Sequence, residues 1–319
     1  MDKRIKIAVC GNQGPVSCND IIINCLNTLD GIEVDNSQTL ENPDIIYWVS
    51  PRGPSIKKYF LFWIKKNPLI INHWIGTDVI DEIERKQQQE IRRIRYFFID
   101  LLYWFKTKRG GLIHLVSAPW LVDELSKLQI QATYVPITSI DVDILGMVDS
   151  HVIKDIDFFS YVPFNRFSFY GGDKIVKLAT RWHQYQFLII CPDLTEIPAD
   201  FIEKMPKNIL FSPRVERKKM PGFYQRSKFF IRYTKHDGLS VSVLEALYFN
   251  LEVLWTYDFP HTHKIENLKK LSDSIPSLVE NWQPNLRGHE FVMENYSMEK
   301  WRANYIEILQ RKIKLKLKN

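Results

Sequence analysis

Residues 232–255 read RYTKHDGLSVSVLEALYFNLEVLW. A basic turn and Asp237-Gly238 run into an apolar helical pattern, and a short strand pattern follows. The helix carries one carboxylate, Glu245, with Val241, Leu244 and Tyr248 as helical neighbours. An unpaired carboxylate in an apolar setting is costly, so Glu245 requires either solvent or a partner. Upstream, the strand pattern FFIR ends at Arg232, and HDGLS opens the helix. Free N–H groups at a helix start attract anions, and Gly238 lets a ligand approach the backbone closely. With Arg232 and Lys235 beside it, the loop suits a phosphate or diphosphate. The same loop also reads as a plain helix start, with Asp237 or Ser240 as its cap.

On either side of this block, apolar runs alternate with helical patterns. In the first half the expected strands are Ile5–Gly11, Ile45–Val49, Leu69–His73, Leu112–Ser117 and Thr133–Pro136. Helices are expected over about 17–29, 59–66, 78–105 and 119–128. The pattern weakens over 137–156 and then resumes, with strands at Phe158–Pro163, Phe187–Cys191, Asn208–Phe211, Phe229–Arg232 and Glu252–Thr256. Continuous apolar strands between helices are the signature of a parallel sheet covered on both faces. The expected fold is therefore α/β, with two Rossmann-like, doubly wound domains. The first spans 1–150 and the second 151–300, and a terminal helix over about 301–319 packs back on the first domain. Ligands of such sheets bind beyond the carboxyl ends of the strands, so a cleft between two facing sheets is the expected site.

The 319 residues are 45% hydrophobic and 25% charged, a composition of folded globular chains rather than disordered or disulfide-stapled ones. No run of 18 apolar residues is present, and the amino terminus lacks a signal-peptide pattern. Cys10, Cys18, Cys25 and Cys191 form neither a CxxC pair nor a zinc pattern, and read as small buried hydrophobes in a reducing cytoplasm. The formal charge is +6, but the last nine residues, RKIKLKLKN, carry five of those charges. A basic tail is thus clear, whereas a general nucleic-acid-binding surface is not supported.

Asp237 and Glu245 enclose seven residues. This spacing resembles the E-x7-E motif of retaining glycosyltransferases with the GT-B fold, in the large group called glycosyltransferase family 4. Here Asp replaces the first Glu. The surrounding text, MPGFYQRSKFFIRYTKHDGLSVSVLEALYFNLEVLWT, resembles that family's donor-site block. YVPFNRFSFYGGDKIVKLATRWHQYQFLIICPD resembles the opening of its second domain. LIINHWIGTDV and HLVSAPWLVDELSKLQIQATYVP resemble parts of its first.

The resemblance implies roles residue by residue. Glu245 would bind the ribose hydroxyls of a nucleotide-diphosphate sugar, and Asp237 the hydroxyls of the transferred sugar. The N–H groups of Gly238, Leu239 and Ser240 would hold the diphosphate. The loop Ser212–Val215 stands where such enzymes hold the base. The family's G-R-x4-K phosphate clamp is missing, so Arg166 with Lys174, Arg232 with Lys235, or the SPRVERKK cluster (Arg214, Arg217, Lys218, Lys219) would have to replace it. His73 would lie near the transferred sugar, with Gly11, Gly14, Gly76 and Asp78 on the acceptor side; Asp78 also reads as a helix cap. The implied reaction is sugar transfer with retention, using no metal and no cofactor, to an unknown hydroxyl acceptor. A nucleotide-sugar epimerase on the same fold and a non-catalytic binding module are the alternatives.

The segment IRRIRYFFIDLLYWFK (91–106) is basic and aromatic. It reads either as a core helix of the first domain or as a helix lying in a membrane interface. With the basic tail, the second reading gives a lipid-linked or membrane-proximal acceptor and a cytoplasmic protein at the inner face of the membrane.

Overall fold

The computed structural model describes residues 4–11, 18–35, 43–51, 68–87, 101, 103–109, 111–137 and 139–317. The expected helix at 59–66, residues 91–100 of the segment 91–106, and Gly14 lie outside the described residues. Two compact units are present. One comprises Met1–Thr138 with Trp301–Asn319, and the other Ser139–Lys300.

The first unit holds a six-stranded sheet of β1 (Ile5–Gly11), β2 (Ile32–Asp35), β3 (Ile45–Val49), β4 (Leu69–Trp74), β5 (Leu112–Val116) and β6 (Ala132–Tyr134). All its pairings are parallel, in the order β2-β1-β3-β4-β5-β6. Every residue of β3 and β4 is buried, as expected where helices cover both faces. Gly11 ends β1 at φ +124°, opposite Val49. A Cβ there would lie 1.8 Å from the Val49 carbonyl oxygen, so close strand approach alone accounts for this glycine.

The second unit holds β7 (Ile156–Tyr161), β8 (Phe187–Ile190), β9 (Ile209–Ser212), β10 (Ser227–Arg232), β11 (Glu252–Trp255) and β12 (Thr262–Lys264). The order β9-β8-β7-β10-β11-β12 is again fully parallel. Renumbered within the unit, this is the 3-2-1-4-5-6 order of dinucleotide-binding sheets, which reverses direction between its first and fourth strands. Here those strands are β7 and β10. An aromatic ladder locks the register: Phe158 of β7 stacks on Phe187 of β8 at 4.8 Å and on Phe229 of β10 at 5.1 Å. On the opposite face Phe159 packs edge-on to Phe230 and Tyr224.

Residues 139–150, assigned to the first domain from sequence, go with the second unit. The Ile140 amide donates to the Tyr296 carbonyl at 2.7 Å, and the Tyr248 hydroxyl donates to the Gly146 carbonyl at 2.7 Å. The sequence pattern misses both contacts because their partners lie more than a hundred residues away. The last helix, Met298–Leu317, begins in the second unit and continues in the first. There Trp301 is buried and its indole N–H donates to the Pro136 carbonyl at 2.6 Å.

Candidate functional site

In the second unit, the loops after β7, β8, β9 and β10 gather at the carboxyl end of the sheet, around its switch point. Gly171 begins the turn into the helix Gly172–Arg181 with φ +76°. A Cβ on it would sit 2.0 Å from the Tyr233 carbonyl oxygen. This glycine therefore lets the loop after β7 lie against the loop after β10. The Lys235 amide donates to the Phe169 carbonyl at 3.0 Å across the same junction. The loop after β8 braces the other side: the Asp193 carboxylate accepts the Phe164 and Asn165 amides at 2.6 and 2.7 Å.

Arg232, the last residue of β10, is buried. Its Nε donates to Asp237 Oδ2 at 2.7 Å, its NH1 donates to the Tyr161 carbonyl at 3.3 Å, and its guanidinium stacks over the Tyr170 ring at 4.7 Å. Burial alone would lower its pKa, but Asp237 outweighs this and raises it, so the guanidinium stays charged. Arg232 is therefore a brace for Asp237 rather than the free phosphate cation expected from its position. The Asp237 amide donates to the Tyr257 hydroxyl oxygen at 3.1 Å.

The helix Val241–Tyr248 starts at Ser240, whose side chain makes no cap bond and shares a 2.8 Å hydrogen bond with Ser242 Oγ instead. Gly238, Leu239 and Ser240 are buried, and Lys235 is exposed. Glu245, on the second turn, is only 5% exposed. Its Oε2 accepts the Tyr224 hydroxyl at 3.0 Å, and its Oε1 lies 3.6 Å from Arg217 NH2. Burial raises its pKa, and the opposing pull of Arg217 and Tyr224 does not cancel that rise. Burial and Glu245 together push the Tyr224 phenol well above its ordinary pKa, so it remains a donor.

Tyr224 escaped the sequence reading altogether. Arg217 stood there only as one of four cations in a charge run. Its 3.6 Å approach to Glu245 brings the loop after β9, which includes Val215, to the same helix. Of the other expected cations, Arg166 is exposed beside the Phe169 ring, and Lys174 pairs with its neighbour Asp173 at 2.9 Å.

The first unit treats its expected residues differently. His73 on β4 is fully buried. Its Nε2 lies 2.8 Å from the Val135 carbonyl and its Nδ1 lies 2.6 Å from the Tyr47 hydroxyl. A carbonyl only accepts, so Nε2 carries the proton and Nδ1 accepts from Tyr47. Burial pushes the His73 pKa down to about 3, and the ring is neutral. Both nitrogens are thus engaged by the protein, which corrects the expectation that His73 reaches a sugar. Asp78 likewise turns to the backbone: Oδ1 accepts the amides of Ile75, Gly76 and Val79 at 3.1, 2.8 and 3.1 Å. It fixes the turn between β4 and the helix Thr77–Gln87, where Gly76 takes φ +141°. Asp78 thus sits in the helix's first turn and ties down the amides around the helix start.

Among the described residues, no three His, Cys, Asp or Glu side chains converge as a metal site. His263 pairs with Glu252 at 2.7 Å, whereas the His261 ring packs near Phe291.

No family model matches the chain, and no curated protein does. Solved structures do. Sucrose-phosphate synthase from Thermosynechococcus elongatus is similar at a TM-score of 0.66 and 11% identity, over 98% of this chain and 100% of that one. A glycosyltransferase from Rickettsia africae gives the same score, identity and coverage. Anabaena HepE, solved in complex with UDP and glucose, is similar at 0.68 and 7% identity, over 96% of this chain and 99% of that one. At such identities the likeness concerns the fold, and that fold is GT-B, the architecture of these glycosyltransferases.

Proposed function

We propose that this chain is a retaining glycosyltransferase that moves a sugar from a nucleotide-diphosphate sugar to a hydroxyl acceptor without a metal ion. The observation that carries the reading is Glu245. It is a buried carboxylate on the second turn of a helix whose N-cap residue, Ser240, makes no side-chain cap bond, eight positions after a second acid braced by a buried arginine. A carboxylate that accepts two O–H donors tolerates such burial, and a ribose diol supplies two. Tyr224 already holds Oε2, while Arg217 approaches Oε1 from a half-exposed position and is free to give way.

In this reading the N–H groups of Gly238, Leu239 and Ser240 receive the diphosphate. Lys235, Arg166 and Lys174 supply countercharge from the adjoining loops, and the stretch around Val215 lies against the base. Asp237 contacts hydroxyls of the transferred sugar. The bond from the anomeric carbon to the diphosphate oxygen breaks, and the acceptor oxygen bonds to that carbon from the same face. The acceptor proton passes to the departing diphosphate oxygen, so no separate base and no metal is required. The products are a nucleoside diphosphate and a glycoside of unchanged anomeric configuration. The use of UDP-sugars is carried over from fold neighbours solved with UDP.

The test is incubation of the full chain with UDP-, GDP- and ADP-sugars in the presence of a chelator. Slow release of nucleoside diphosphate from one of them, abolished by Glu245→Ala, supports the reading. Tight nucleotide-sugar binding without release, whatever alcohol is added, replaces it with a binding module. Absence of binding across the panel ends it.

A further inference from the structure

Residues 101 and 103–108 are helical, and two faces of this helix differ sharply. Tyr103 packs against the first unit's core of Ala8, Cys10, Ile46, Trp48, Ile70 and Leu112. Lys106 is buried beside it, with its ammonium donating to the Pro68 carbonyl at 3.0 Å. These two side chains fix the helix to the sheet. Leu101, Trp104, Phe105 and Lys108 recur at the i, i+3, i+4, i+7 spacing of a single stripe on another face. Leu101 is 37% exposed, Trp104 54% and Phe105 47%. The Trp104 and Phe105 rings meet edge-to-face at 4.9 Å, so they form one apolar surface. They are the only exposed Phe, Trp or Tyr side chains among those described.

We infer that this stripe docks the protein on an anionic lipid bilayer. Charge selects the occupant. Lys108 and Arg109 are exposed at the end of the stripe. Between residues 101 and 111 the sequence holds no acid, and with Lys106 turned inward Lys108 and Arg109 are the cations this end of the helix presents. A protein interface of this composition would need an acidic counterpart of matching shape, whereas a bilayer of anionic lipid offers diffuse negative charge over an apolar interior. Tryptophan and phenylalanine are the side chains that settle at that boundary, with cations at the headgroup level. No helix among the described residues is long and apolar enough to cross a membrane, so the contact is one of lying on the surface. Phosphatidylglycerol-type headgroups satisfy the cations, and the acyl boundary takes Trp104, Phe105 and Leu101. This inference uses no residue of the donor site and stands or falls without it.

The experiment is flotation of the full chain with vesicles of phosphatidylcholine alone, and of phosphatidylcholine mixed with phosphatidylglycerol. Two variants accompany it, Trp104→Ser with Phe105→Ser, and Lys108→Glu with Arg109→Glu. All four positions are exposed, so the unfolding midpoint is expected to stay close to that of the parent chain. Binding to the anionic vesicles only, weakened by salt and reduced on the order of tenfold or more by each variant, is the expected result. Failure to float with anionic vesicles overturns the inference, as does binding that neither variant changes. A parent dimer that dissociates in the Trp104→Ser, Phe105→Ser variant also overturns it, because the stripe would then be covered by a second copy.

Discussion

His73 and Glu245 are both buried titratable groups, at 0% and 5% exposure, yet the protein closes around them in opposite ways. The imidazole has each nitrogen matched by one rigid partner, the Tyr47 hydroxyl and the Val135 carbonyl. The carboxylate has one firm bond, from Tyr224, and one longer ion pair to an arginine that remains half-exposed. A fully matched group holds strands together. A group with one firm partner and one displaceable partner keeps capacity for a ligand. The contrast fits a structural role for the first unit's histidine and is what the proposed function asks of the second unit's acid.

The sharpest way to break this comparison is His73→Ala. Removing the ring leaves the Tyr47 hydroxyl without its acceptor and opens a cavity on β4. Stability should fall by roughly 3–5 kcal/mol in urea unfolding, while nucleotide-sugar binding by molecules still folded stays near the parent value. Loss of turnover at unchanged stability would instead make His73 a reacting group. The parent chain's response to pH has a defined sign here. Its His73 pKa is lowered to about 3 from an ordinary 6.5. The stability it contributes is present above pH 6.5 and is lost as pH falls toward the folded value, because the unfolded chain binds the proton first.

Next in size is Glu245→Gln, which keeps the shape and removes the charge. Affinity for a nucleoside diphosphate sugar should drop by about 2–3 kcal/mol, roughly 30- to 150-fold, measured by calorimetry. Stability should move the other way. The Glu245 pKa is raised by burial, so its stabilising contribution is greatest below the ordinary carboxylate range and is lost as pH rises through the folded value. At pH 7 the glutamine variant should be as stable as the parent or more so. A large loss of stability in this variant would place Glu245 beside His73 as a structural group and remove the contrast.

Much of this was legible in the residues, and the failures have physical reasons. Central strands such as IIYWV and FLII are buried on both faces and read as unbroken apolar runs. The edge strands β2 and β12 were missed. IEVD and THK are short, partly exposed and rich in charged or polar side chains, as suits an edge. The two acids stand out in the sequence because a loop acid and a helix acid keep their spacing in any context. Their partners do not. Tyr224 reaches Glu245 across 21 positions, and nothing local distinguishes Arg217 from its neighbouring cations. His73 and Asp78 read as facing a ligand, Asp78 also as a helix cap, because a polar residue after an apolar strand looks alike in both cases. Only the coordinates show one turned toward a phenol and a carbonyl, the other toward backbone amides.

The smallest expected effect sharpens the comparison most, because it tests whether Tyr224 only fills space or also sets the charge of Glu245. Tyr224→Phe keeps the ring, which stacks on Phe249 at 5.5 Å and packs against Phe159. It removes one hydrogen bond to the carboxylate. That bond favours the ionised form, so its loss raises the Glu245 pKa further. Affinity for the nucleotide at neutral pH should fall by only about 1 kcal/mol, roughly fivefold. The acid limb of a plot of affinity against pH should shift upward, since the ribose diol requires the ionised carboxylate. A variant that binds more weakly by the same factor at every pH would show that Tyr224 acts through packing alone. A limb that moves up with little change at high pH would show that the phenol holds Glu245 charged for its ligand.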